Sequence, residues 1–313
     1  MASGEEADLE AFQRHVAAHL ADLRGGEDEL LSIEWIRRLL EAFLLCQEEF
    51  RVVVALARRR GALSAAAEKM VGDFYERAVK ALDVCNAARD GVDQVRRWER
   101  LAGIAASVLL APGEIHEGQL RRARKALSDL SRSRNWSAAR QLQAIGSGLA
   151  APRAHEGGLV APVYSMGCLL HLAAWALVAA VPCPDRAAAL QAHHLPAAPP
   201  RAAFPWAPPL LALQERLTEE GKRKDRRNSC GLLKEIHALE KCTQRLAEAI
   251  DAAPVPLSGE REAEVREAAA ELAAVCAAMR AGLEPLERQV REVFHRIVRS
   301  RMEGLDSPML NAD

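Results

Sequence analysis

The chain has 313 residues, half of them hydrophobic, with 4% aromatics and a formal net charge of -1. That length and apolar content bury a sizeable core and exclude a disordered chain. The balanced charge excludes a global field toward nucleic acid, so no nucleic-acid partner is expected and only local basic clusters count.

Alanine, leucine, arginine and glutamate are abundant, a usage that suits long helices rather than sheets. Seven cysteines (Cys46, Cys85, Cys168, Cys183, Cys230, Cys242 and Cys276) lie far apart with no CxxC pair. They read as reduced thiols serving as small apolar residues, which points to the cytosol. The opening MASGEEADLEAF is acidic and has no apolar core, so no signal peptide is expected. Ala2 excludes N-myristoylation.

In chain order, Glu10 to Leu23 predicts a short amphipathic helix stopped by Gly25 and Gly26. A second helix is expected from about Asp28 to Arg60, with Ile36, Leu39, Phe43, Cys46, Phe50 and Val53 spaced 3, 4, 3, 4, 3. Such spacing is the seam of a helix packed lengthwise on another. The next seam, Phe74, Ala78, Ala81, Cys85, Ala88, Val92 and Val95, predicts a third helix reaching Trp98 or Leu110, antiparallel to the second. Glu117 to Leu130 is a helix with a basic face, and Trp136 to Leu149 another, loosened by Gly146, Ser147 and Gly148.

Val160 to Val181 then runs without a formal charge, long enough at about 1.5 Å per residue to cross the roughly 30 Å core of a bilayer. His171, Gly167, Ser165 and many alanines make it marginal for insertion. The flanking arginines are balanced, Arg140 and Arg153 against Arg186 and Arg201, so no positive-inside signal exists. The reading favours a buried helix in which Leu169, Leu170, Leu172, Trp175 and Leu177 are packed by the heptad helices, with Val160 and Val181 at its ends. A single-pass span stays open as the alternative.

A Pro-rich connection covers 182–209, and Phe204 and Trp206 suggest that it is a strap laid over the bundle. Leu210 to Glu220 is helical. After the basic run KRKDRR, Leu232, Ile236, Leu239, Thr243, Leu246 and Ile250 open a C-terminal hairpin. Its second arm carries two interleaved heptad series, Val265 to Val293 and Ala269 to Ile297, whose phase survives Gly282 and Pro285. One long rod follows, and its overhang from Leu286 to Met302 needs partners in the N-terminal half or in another protein.

The expected fold is all-α: an elongated multi-helix bundle of long antiparallel helices around one very apolar central helix. It forms a single domain over 1–313, with N-terminal helices in 28–150, the apolar helix in 160–181, the Pro-rich loop in 182–209 and the hairpin in 228–303.

Chemistry is sparse. His15 and His19 are four apart but sit among Phe12, Val16 and Leu20 on an ordinary amphipathic helix. His193 and His194 have no ligand-spaced Cys or carboxylate nearby. Gly146-Ser147-Gly148 lacks the outer glycine and the preceding strand of a nucleophile elbow, and neither GxGxxG nor a P-loop occurs. No catalytic, cofactor or metal residues and no small-molecule substrate are expected. A pocket near Cys168, His171 and Trp175 is the weaker enzyme or carrier reading, against an ordinary core role for His171. Lys222, Arg223, Lys224, Arg226 and Arg227 are candidate contacts to an anionic membrane surface, or a nuclear import signal, or simply a solvated loop. Ser229 is a candidate phosphosite in a basophilic context at a helix start, and equally an N-cap.

Five long blocks carry a resemblance: DELLSIEWIRRLLEAFLLCQEEFRVVV from Asp28, FYERAVKALDVCNAARDGVDQVRRWERL from Phe74, WSAARQLQAIGSGLAAPR from Trp136, RRNSCGLLKEIHALEK from Arg226 and LEPLERQVREVFHRIVRSRMEGLD from Leu283. Together they resemble the plant BYPASS-like family, most closely its Roh-type proteins. That resemblance implies a non-enzymatic α-helical protein which binds the phosphoinositide-binding rod subunit of the exocyst. It further implies a modulating, restraining role in polarised exocytosis such as seed-coat mucilage deposition. The related BYPASS branch implies control of a root-derived developmental signal, with a membrane span at the apolar stretch. The Ser-rich insert of relatives is reduced here to Ser131–Asn135, which removes the basis for regulation through that insert.

Overall fold

The computed structural model describes all residues except 1, 27–28, 62, 132–138, 148, 150–157, 181–194, 196–203, 223–230, 253–255 and 306–313. Among the described residues every regular element is a helix: α1 (Ala2–Asp22), α2 (Ile33–Arg59), α3 (Ala65–Leu109), α4 (Glu117–Ser131), α5 (Ala139–Gly146), α6 (Val160–Ala180), α7 (Ala207–Lys222), α8 (Lys234–Asp251) and α9 (Gly259–Leu305). The all-α expectation therefore holds.

Local chemistry sets the ends. Ser32 caps α2 by accepting from the Trp35 N–H, and Ser64 caps α3 by accepting from the Ala67 N–H. The start expected near Asp28 falls instead at Ile33, because Leu31 takes a left-handed turn at φ 59° just before the cap. Trp35 Nε1 fixes that turn by donating to the Leu23 carbonyl at 2.8 Å. Gly61, at φ 66°, closes the turn after α2. Pro285 lies inside α9, and the rod continues through it.

Seam residues of α2, α3 and α9 are buried throughout, as are Ile236, Leu239, Leu246 and Ile250 of α8. The partners of the seams differ from expectation, however. α2 and α3 touch near their turn, where Phe50 and Phe74 meet edge to face at 5.3 Å and Arg58 pairs with Glu68 at 2.8 Å. Along the rest of their length α6 and α9 each pack against both. Hence α2 and α3 are diagonal members of a four-helix bundle rather than antiparallel neighbours. A seam records that a face is covered and not which helix covers it.

The second half of the molecule repeats the plan with α3, α4, α8 and α9. Two four-helix bundles thus lie end to end and share α3 and α9, each about 70 Å long. These two run antiparallel: Arg266 donates to the Leu109 and Ala111 carbonyls at 3.1 Å, Arg280 meets Glu99, and Arg301 meets Glu76. The overhanging end of α9 finds its partners in the N-terminal half, through Arg296–Glu48 at 2.6 Å, Glu303–Arg51 at 2.9 Å and the buried bond from Gln47 to Ser300 at 3.3 Å. Where the bundles meet, Gly282 of α9 leaves room for Ile33, whose methyl would lie 3.0 Å from an added Cβ.

Candidate functional site

Ordinary four-helix bundles leave an outer polar face on each helix; α6 has none. From Pro162 to Ala180 every residue is buried. α2 and α3 cover its inner sides, α1 and α5 its outer ones. The heptad hairpin is built instead against α2, α3 and α4. Leu169, Leu170, Leu172, Trp175 and Leu177 are all buried, Val160 is half-buried at the first turn, and Val181 lies outside the described residues. By length and composition α6 could cross a membrane, and all of its most apolar window is buried inside the protein.

Ser165 of α6 is met by protein, whereas the buried Trp175 indole N–H has no hydrogen-bond partner among the described residues. Gln13 of α1 donates to Ser165 Oγ at 3.1 Å, and Ser165 donates onward to the Pro162 carbonyl at 3.0 Å. Trp206 Nε1 donates to Gln13 Oε1, so one relay joins α1, α6 and the residue before α7. Phe204 and Trp206 stack at 5.1 Å and both lie against Tyr164, the contact expected of these two residues, while 182–194 and 196–203 of the expected strap lie outside the described residues. At the other end, the Leu232 N–H donates to the Ala179 carbonyl at 2.9 Å and the Leu233 N–H to Ala180 at 3.4 Å, extending the chain of bonds beyond α6. Such satisfaction removes the cost of burying Ser165, Gln13 and the last carbonyls of α6.

Around Cys168, His171 and Trp175, the candidate pocket, α6 is closely packed on two sides. A Cβ added to Gly146 would stand 2.6 Å from His171 Cε1, so the α5 backbone occupies the space beside the imidazole. Gly167 likewise admits Leu149, whose Cδ1 would lie 2.5 Å from an added Cβ. Burial pushes the Cys168 thiol up to about 12, and Cys46 and Cys85 equally, while Cys276 reaches about 11 for the same reason. Thiols held that high are poor nucleophiles at neutral pH.

His15 Nδ1 lies 2.8 Å from Glu49 Oε1 at the α1–α2 surface, and no group of three metal-ligating side chains occurs among the described residues. Of the basic run, Lys222 is the exposed last residue of α7. Arg223, Lys224, Arg226, Arg227 and Ser229, with His193 and His194, lie outside the described residues.

What sequence reasoning missed is the outer face of α2. Leu45 and Val52 are 52% and 48% exposed there, a heptad apart. Val52 lines an open cleft of about 580 Å³ with Arg51, Ala55, Arg59, Tyr75 and Glu303, while Leu45 lines a shallower one with His19, Arg38 and Glu41. Arg51 is engaged by Glu48 and Glu303 and Arg58 by Glu68, so the cleft is ordered by ion pairs. Hydropathy could not find this face because charges interrupt it.

Comparison with known proteins adds kinship. A family model described as "Protein ROH1-like" matches residues 1–132 and 128–308. Protein ROH1D of Arabidopsis thaliana is 43% identical over 96% of this chain and 88% of its own length. Protein ROH1A of the same plant is 30% identical over 96% of this chain and 90% of its own. No solved structure matches.

Proposed function

Because the chain belongs to the ROH1-like family, we propose that it is a non-enzymatic interaction protein that docks on the phosphoinositide-binding rod subunit of the exocyst and restrains polarised exocytosis, as in mucilage or cell-wall deposition. The family is not one of known enzymes. The observation that supports the reading is the burial of α6: a helix enclosed on all sides is not free to anchor the protein, which leaves the outer faces of the helices as its working surface.

The experiment is a pull-down from plant extract with the full chain. The hairpin α8–α9 alone is an unsuitable bait, since α9 completes both bundles. Enrichment of the exocyst rod subunit over an unrelated helical bait is the expected result, and equal recovery on both overturns the reading.

The length and composition of α6 favour a second reading, a single-pass membrane protein of the BYPASS type acting on a root-derived signal. Carbonate extraction separates the two, because a spanning chain stays with the membranes and a bundle with α6 inside is released.

A further inference from the structure

Opposite its buried seam, α2 carries another. Arg38, Leu45, Val52 and Arg59 recur every seven residues, and Glu41, Glu48 and Ala55 interleave with them. That spacing lays all seven along one stripe of the helix. Leu45, Val52, Glu41, Ala55 and Arg59 are exposed, and neither Glu41 nor Arg59 has an ion-pair partner among the described residues.

Arg38, beyond Glu41, is engaged by Glu29 at 3.3 Å and by the Asp22 carbonyl, so the unpaired charges give the stripe a sense of direction, acidic at Glu41 and basic at Arg59. A ligand of one sign does not match it. A second stripe running the opposite way does. Two copies crossing antiparallel at the level of Phe50, whose own ring is buried on the opposite face, set Glu41 of each against Arg59 of the other. The same register sets Leu45 against Ala55 and Val52 against the stem of Glu48. These are the layers of an antiparallel helix pair, large against small. Ala55 forms part of the wall of the 580 Å³ cleft, so Leu45 of the second copy has a hollow to enter.

We propose that a second copy of this chain docks on the outer face of α2, helix against helix about a two-fold axis passing between Glu48 and Val52. The contact is isologous, each patch serving as both donor and receiver. One helix crossing buries less than the roughly 1,200 Å² of a stable complex, so the association is weak and reversible. It stands whether or not the exocyst reading does.

The test is sedimentation or light scattering of the full chain from ~1 µM to ~300 µM, the range in which weak complexes form. The mass should climb from 34.1 kDa toward twice that value. Glu41→Arg alone and Arg59→Glu alone place like charges at both ends and should each weaken pairing about tenfold or more at low salt. An equimolar mixture of the two variants should pair again, because every contact then joins Arg to Glu. Circular dichroism checks that both variants fold; the two positions are exposed. Wild type staying at 34.1 kDa throughout overturns the proposal. So do single reversals that pair as well as wild type, or a mixture that fails to recover.

Discussion

The Glu235 carboxylate accepts the Ile33 N–H, at 3.0 Å from one oxygen and 3.2 Å from the other, across 202 residues of sequence. Its own helix, α8, begins one residue earlier, where the Lys234 N–H donates to the Leu31 carbonyl at 2.9 Å. Two helix starts therefore face each other with one acid between them, a placement favoured by both helix dipoles.

Replacing Glu235 by Ala should lower stability by ~1–2 kcal/mol, the scale of a lost cap together with a lost dipole partner. Glu235→Gln should recover part of it, since the amide oxygen still accepts. Urea melts of the three proteins check this order; equal midpoints for Ala and wild type would contradict it.

Gly146→Ala should cost ~1–3 kcal/mol, because the new methyl meets the buried ring of His171. Gly72, within α3, is the internal control: nothing lies within 4 Å of an added Cβ there. Gly72→Ala should stabilise by ~0.5–1 kcal/mol through helix propensity alone. Thermal melts in which the two changes act alike would argue against close α5–α6 packing.

Leu172, fully enclosed in α6, is the position at which core and anchor part ways. Leu172→Ala should cost ~2–5 kcal/mol. Leu172→Asn should leave the chain largely unfolded, read by loss of helical ellipticity and of soluble protein. A folded, soluble Leu172→Asn protein that has merely lost membrane binding would contradict the buried position.

The thiols give a pH dependence. Folding raises Cys46, Cys85 and Cys168 from an ordinary 9.0 to about 12, because burial disfavours the thiolate. A raised acid favours the folded state fully below pH 9, and that contribution is lost as pH climbs from 9 toward 12. Urea midpoints should therefore fall between pH 8.5 and 10.5, less steeply in Cys85→Ala once its lower starting stability is allowed for. Thiol reagents at pH 8 should modify these three only after denaturant is added.

The buried seams were legible because side chains three and four apart share a helix face, so their periodicity survives translation into structure. Burial of α6 was legible from chemistry: His171, Gly167 and Ser165 fit close protein neighbours better than lipid tails. The diagonal placement of α2 and α3 was not legible. Phe43 and Phe74 declare covered faces, but α6 and α9, more than 80 residues away in sequence from one or both, do the covering. The outer stripe of α2 also escaped notice, since Glu41, Glu48 and Arg59 alternate with Leu45 and Val52 and cancel in any average of hydropathy.

Sharing α3 and α9 between two bundles also governs how the chain is made. Among the described helices α9 is the last to leave the ribosome, and until it does both bundles lack a corner. At roughly 5–20 residues per second, its end follows the end of α6 by roughly 6–25 s. During that interval the most apolar segment of the chain already has α1, α2, α3 and α5, the helices that cover it in the finished fold, but α2 and α3 are not yet braced by α9, which keeps the segment within reach of the machinery that sorts nascent chains to membranes. The histidine, glycine and serine that fit it to its neighbours also keep it a poor candidate for that machinery. One composition thus answers to the finished fold and to the unbraced intermediate that precedes it.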